Sequence, residues 1–152
     1  MIIEYTQQYE DLIDQINSHS NPRVSDMIVH PKPLNPDCYQ NALTLLNQIY
    51  VACKPLPQIK FNKFSKRIVF IWTNAKYNMT MTVSISSRMN TYLLCSTDVF
   101  SFSCDDLNIY KFPLEILDYY KLNNLDELTM RRHLVEAWTN NATRMYEEDY
   151  MY

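Results

Sequence analysis

RIVFIWTNAKYNMTMTVSI (Arg67–Ile85) decides the fold. In its second half Tyr77, Met79, Met81, Val83 and Ile85 fall on one parity and Asn78, Thr80, Thr82 and Ser84 on the other. A period of two belongs to a strand with one face in a core and the other toward water. The first half, Ile68–Trp72, is an unbroken run of β-branched and aromatic residues, which suits a second strand. Thr73–Lys76 supplies the turn between them. That turn would set Trp72 opposite Tyr77, Phe70 opposite Met79 and Ile68 opposite Met81, all on the core face. Val69 and Ile71 then point the other way, with Asn78, Thr80 and Thr82.

Upstream, a turn near Asn62–Ser65 would fold Ile59 and Phe61 back onto the core face. Downstream, strands are expected at 91–96 and 99–104, where Phe100, Phe102 and Cys104 alternate with Val99, Ser101 and Ser103. Asp105–Asp106 reads as the turn that ends the last of them. The sheet is expected to be an antiparallel meander of four or five strands over residues 58–104.

Helical spacing frames this sheet. Tyr5, Tyr9, Leu12, Ile13 and Ile16 recur at steps of three and four, predicting a helix over 4–18, with a short strand at Met1–Tyr5 as competitor. Residues 19–36 hold three prolines and read as a loop. Asn35 as N-cap and Pro36 at the first helical position open a helix over 35–54. It would bury Tyr39, Ala42, Leu43, Leu46, Ile49, Tyr50 and Cys53, and stop at Lys54-Pro-Leu-Pro57. Phe112-Pro113 opens a short helix around Leu114–Tyr120. Asn124 with Glu127 forms a capping-box pattern before a helix over about 125–146 that would bury Leu128, Leu134, Val135, Trp138, Ala142 and Met145. An acidic tail, 147–152, follows. The expected fold is one α+β domain, 1–152, with N-terminal and C-terminal helices packed on one sheet face.

The order helix, PLPQIKF, RIVFIW, YNMTMTVSI, NTYLLC resembles a group of small bacterial α+β proteins of unassigned activity. In them a helix precedes a Pro-x-Pro-x-Ile segment and a meander whose second strand ends in Trp. The resemblance covers about residues 35–96 and is marked by Pro55, Pro57, Ile59, Ile68 and Trp72. Where this chain has Asn62–Lys66 that group usually carries Asp-Gly or a similar turn. The resemblance implies the fold and no mechanism.

Composition excludes several chemistries. The chain has 152 residues and no glycine. Phosphate-cradling loops need glycine so that the backbone can approach the ligand, so there is no P-loop, dinucleotide fingerprint or G-x-S-x-G elbow. Left-handed turn positions are expected to fall to Asn or Asp. The fourteen asparagines and scarce alanine suggest an A/T-rich coding genome. The longest apolar run is five residues, against about 20 for a spanning helix. The N-terminus lacks the pattern of a signal peptide, so a cytoplasmic protein with reduced thiols is expected.

His19, His30 and Cys38 match no zinc spacing and read as surface polar residues, with most cysteines in the core. His133 and Glu136 read as a solvated helix pair. No metal, cofactor or catalytic residue is assigned.

Charge is segregated along the chain. Residues 38–97 contain no Asp or Glu and carry a charge of +7, whereas 1–37 sum to −4 and 98–152 to −6, giving −3 in total. A basic sheet flanked by acidic helices is a statement about partners rather than about fold. The candidate contact residues are Lys60, Lys63, Phe64, Lys66, Arg67, Lys76 and Arg88; Val69 and Ile71 read either as covered by the N-terminal loop or as the apolar centre of the contact. The expected function is a non-enzymatic protein-binding module, an accessory or inhibitor-type protein of bacterial or phage origin whose partner has an acidic surface. A nucleic-acid binder using the same cations, a small hydrolase or transferase with an unrecognised site, and a structural subunit of a larger assembly are the rivals. The opposing expectation is that the acidic helices pack over the basic sheet and neutralise it.

Overall fold

The computed structural model describes residues 2–20, 36–62, 67–86, 90–96, 101–108 and 112–150. Helix α1 (Ile2–Ser20) and helix α2 (Pro36–Val51) precede strands β1 (Gln58–Asn62) and β2 (Arg67–Asn74). A 3-10 turn (Ala75–Tyr77) leads into β3 (Met79–Ile85), then β4 (Asn90–Ser96) and β5 (Ser101–Asn108). A 3-10 segment (Leu114–Tyr120) and helix α3 (Glu127–Tyr150) follow. The fold is α+β, with helices and an antiparallel sheet in separate stretches of chain. The competing N-terminal strand is not formed, since the chain is helical from Ile2.

Each strand pairs antiparallel with the next, in the order β1-β2-β3-β4-β5. Side chains are described for β1, β2 and β3, and these carry the sheet's known part of the core. The β2–β3 register differs from the expected one. Trp72 lies opposite Met81, Phe70 opposite Val83 and Ile68 opposite Ile85. Residues 75–77 wind into a 3-10 turn and Asn78 takes a left-handed conformation (φ 51°, ψ 49°), so β2 runs on to Asn74 and Tyr77 belongs to the turn. The slip is an even number of residues, so every side chain keeps its expected face. Ile68, Phe70, Trp72, Met79, Met81, Val83 and Ile85 are buried, while Val69, Ile71, Thr82 and Ser84 are half-buried.

Asp105 and Asp106 are not the end of a strand. They lie within β5, between the pairs Leu93↔Cys104 and Thr91↔Leu107, where two residues of β5 oppose Tyr92. That count is a β-bulge, which lets the strand continue past the expected stop.

Helix α2 packs on β2 and β3, the 3-10 segment Leu114–Tyr120 lies against β2, α1 packs on α2, and α3 packs on the 3-10 segment. One core joins Ile16 of α1, Leu45, Leu46 and Ile49 of α2, the inner sheet face, Ile116 and Leu117, and Met130, Leu134 and Trp138 of α3. Three expectations need correction here. Cys38 is buried rather than surface, and its thiol donates to the Ile85 carbonyl at 3.2 Å, tying α2 to the end of β3. Leu128 and Val135 are exposed, because α3 turns Met130, Leu134 and Trp138 inward instead. The cap of α3 is Asp126, not Asn124: its carboxylate accepts the Thr129 N–H at 2.8 Å and the Thr129 hydroxyl at 2.7 Å. These bonds hold the Asp126 carboxyl below the usual carboxylate range.

Cys53 departs from expectation as well. It is exposed, has φ 57°, and sits just past α2. The Lys54 N–H donates to the Ile49 carbonyl at 3.1 Å and the Cys53 N–H to the Tyr50 carbonyl at 3.0 Å, the two bonds of a Schellman motif. Its left-handed position usually belongs to glycine. This chain has none, and cysteine occupies it.

The expected N-cap Asn35, most of the loop over 19–36, and most of the turn at Asn62–Ser65 lie outside the described residues, as do His30 and the end of the tail. The side chains of His19, Phe102, Cys104, Ala142 and Met145 lie outside them too.

Candidate interaction surface

The sheet face turned away from α2 holds the candidate residues that the fold brings together. Antiparallel pairing sets residues into cross-strand rows with neighbouring Cβ atoms about 5 Å apart. One row is Gln58, Ile71 and Thr82, the next is Lys60, Val69 and Ser84, and Asn62 stands opposite Arg67. The backbone register extends these rows to Leu94 opposite Thr82 and Tyr92 opposite Ser84. Val69 and Ile71 therefore sit two residues apart on β2 with polar positions on both described neighbours.

Lys60 is exposed at the middle of β1 and has no ion pair or hydrogen bond to another described residue. A lysine here also guards the edge of the sheet against pairing with other strands. The Arg67 guanidinium lies along the face and donates to the Ser84 hydroxyl at 3.4 Å, a long bond that leaves most of its donors for other acceptors.

Lys76 stands apart from this group. It follows the far end of β2, roughly 23 Å of strand from Arg67. It is exposed, its ammonium donates to the Asn123 carbonyl, and it lies 5.5 Å from the centre of the Tyr77 ring. It fastens the segment before α3 rather than joining Lys60 and Arg67. Lys63, Phe64, Lys66 and Arg88 lie outside the described residues.

The acidic parts of the chain do not cover this face among the described residues. Helix α2 and the 3-10 segment pack against the sheet on its buried side. Among the described residues one ion pair joins the basic and acidic segments: Lys54 pairs with Asp118 at 2.7 Å, at the approach to β1. Among those residues an ion pair to the acidic segments reaches Lys54 and none reaches Lys60.

A tyrosine cluster between α1 and α2 escaped the sequence reading, which placed Tyr5, Tyr9 and Tyr50 on apolar helix faces without bringing them together. The Tyr5 and Tyr50 rings stack 5.4 Å apart, and Tyr9 lies 4.0 Å from Tyr50. The Tyr5 hydroxyl donates to the Lys54 carbonyl and to the Ile49 carbonyl at 3.4 Å, so it helps cap the C-terminus of α2. Burial first, then the nearby Cys53 and Tyr50, push its pKa up to about 12. Burial also raises Tyr9. The aromatic steps of three and four could have paired the two helices, but not the hydroxyl with a helix end.

Among the described residues no three His, Cys, Asp or Glu side chains gather where they could hold a metal ion. No described helix is long and apolar enough to cross a membrane. Comparison with protein-family models, with curated proteins and with solved structures finds no match.

Proposed function

We propose that the protein is a non-enzymatic binding module that engages another protein through the outer face of β1–β3. The reading rests on one arrangement: Val69 and Ile71, half-buried, lie among Gln58, Lys60, Thr82 and Ser84, with Arg67 at the rim. An apolar centre inside a polar rim is how protein interfaces are built. The cations come from a segment without a single acidic residue, which favours an acidic partner and speeds its approach. Action by surface complementarity suits an accessory or inhibitor-type protein.

The same cations support a second reading, contact with nucleic acid, against which the overall charge of −3 weighs. Affinity capture from host lysate, with and without nuclease, separates the two. The expected result is a stoichiometric protein that survives nuclease and is lost with Lys60→Glu/Arg67→Glu, while circular dichroism stays unchanged. Capture of nucleic acid that nuclease abolishes would replace this reading by the second.

A further inference from the structure

The outer face of β1–β3 is one helix wide. Val69 and Ile71 stand in line on the central strand β2, roughly 6.7 Å apart along it. The positions on either side, Gln58 and Lys60 on β1 and Thr82 and Ser84 on β3, are polar. Neighbouring strands lie about 4.8 Å apart, so these polar flanks stand about 10 Å apart, the width of an α-helix with its side chains. Four residues of helix advance about 6 Å, close to the step from Val69 to Ile71, so one helical stripe covers both. A strand would instead have to join the sheet at the β1 edge, where the exposed Lys60 stands against pairing.

Charge says what kind of helix fits. Strands β1, β2 and β3 contain no Asp or Glu. Lys60 stands beside Val69, and Arg67 lies one step beyond Val69 on the same face of β2. Among the described residues no ion pair reaches either cation. The one long bond from Arg67 to Ser84 leaves its other donors for an acceptor from outside.

We propose, on the premise that this face is the contact surface, that its occupant is an acidic amphipathic helix of the partner protein, lying along β2. One aliphatic side chain covers Val69, and a second, three or four residues away on the same stripe, covers Ile71. A carboxylate one turn beyond the first meets Arg67, where a bidentate pair fixes the helix lengthwise. A second carboxylate on the β1 flank meets Lys60. The apolar pair holds the helix down, and the two cations at one end set its register.

Photocrosslinking with the intact chain tests it. A diazirine amino acid replaces Val69 in one chain and Ile71 in another, circular dichroism confirms that each is folded, and both are irradiated in nuclease-treated host lysate. The two positions should mark the same stretch of one protein, at residues three or four apart, with a carboxylate one turn away. Arg67→Glu should lower the yield from both positions roughly tenfold, and exchanging the partner's carboxylate for arginine should restore it. Marks two residues apart belong to a strand and marks on separate segments to loops; either would overturn the helix and leave the outer-face reading standing. A yield indifferent to Arg67→Glu would also overturn the proposal. With no protein marked from either position, the outer-face reading itself falls and the helix with it.

Discussion

The hydroxyl of Tyr77 serves both backbone groups of Leu125, donating to its carbonyl at 2.6 Å and accepting from its N–H at 3.1 Å. Nearby, the buried Asn74 amide donates to the Tyr119 carbonyl at 3.0 Å and the Leu122 carbonyl at 2.9 Å. The turn between β2 and β3 thus holds the irregular segment that delivers the chain to α3. That segment could not use a ladder or a helix, so its polar groups are met by side chains.

Removing the Tyr77 hydroxyl should therefore loosen α3 before the sheet. Tyr77→Phe keeps the ring in the core but leaves a donor and an acceptor of Leu125 unpaired. The expected cost is about 2 kcal/mol in urea unfolding, with an unchanged m-value. Hydrogen exchange should quicken around Leu125–Met130 more than in β2. Equal quickening in both would show that the hydroxyl acts on the whole core and not on this attachment.

Cys53 offers the reverse effect. A left-handed backbone costs an ordinary residue roughly 1–2 kcal/mol, and glycine escapes most of that. Cys53→Gly should stabilise the protein by about 1 kcal/mol after allowing for glycine's larger unfolded entropy. Cys53→Ala should change stability little, since Cys53 is exposed and alanine keeps the Cβ. A Cys53→Gly chain no more stable than Cys53→Ala would mean that the thiol side chain supports the helix end in some other way.

What could be read from the sequence follows from which quantity each feature depends on. Parity was legible in Tyr77–Ile85 because alternation fixes the face of each residue. Register was not, because it depends on where the turn absorbs residues, and residues 75–77 form a 3-10 turn. On α3 two apolar lines compete, Leu128 with Val135 and Met130 with Leu134 and Trp138. Periodicity finds both and cannot choose; the contact with the 3-10 segment does. Two Asx residues likewise compete for the cap, and Asp126 wins because its carboxylate reaches Thr129. For the interaction surface, the cations and the apolar pair were legible. The fastening of Lys76 to the Asn123 carbonyl was not, since that partner is remote in sequence.

The tyrosine cluster sets a limit on alkaline stability. Unfolded Tyr5 would ionise near its ordinary value of 10.0, whereas in the fold burial holds it neutral until about pH 12. A group with a raised folded pKa contributes fully below its unfolded value and loses that contribution as pH climbs through the folded one. Stability should therefore fall between about pH 10 and 12. Ionised Tyr5 could no longer donate to Lys54 and Ile49. Tyrosinate absorbance should show one fewer late-titrating group in Tyr5→Phe, and the alkaline fall in melting temperature should shrink. A Tyr5→Phe titration identical to that of the parent chain would rule out this assignment.

The neighbours Phe70 and Ile71 divide fold from function most sharply. Phe70 is fully buried between sheet and helix, and Phe70→Ala should cost about 3–5 kcal/mol. Ile71 is half-buried on the other face beside Gln58 and Thr82. Ile71→Ala should cost only roughly 1 kcal/mol, in proportion to the apolar area it covers. If the outer face is the contact surface, this ordering inverts for partner binding. Ile71→Ala and Val69→Ala should then weaken capture several-fold in chains that unfold almost as the parent does. A destabilisation by Ile71→Ala as large as that of Phe70→Ala would mean the outer face is covered by the protein itself, and the contact surface would have to be sought elsewhere.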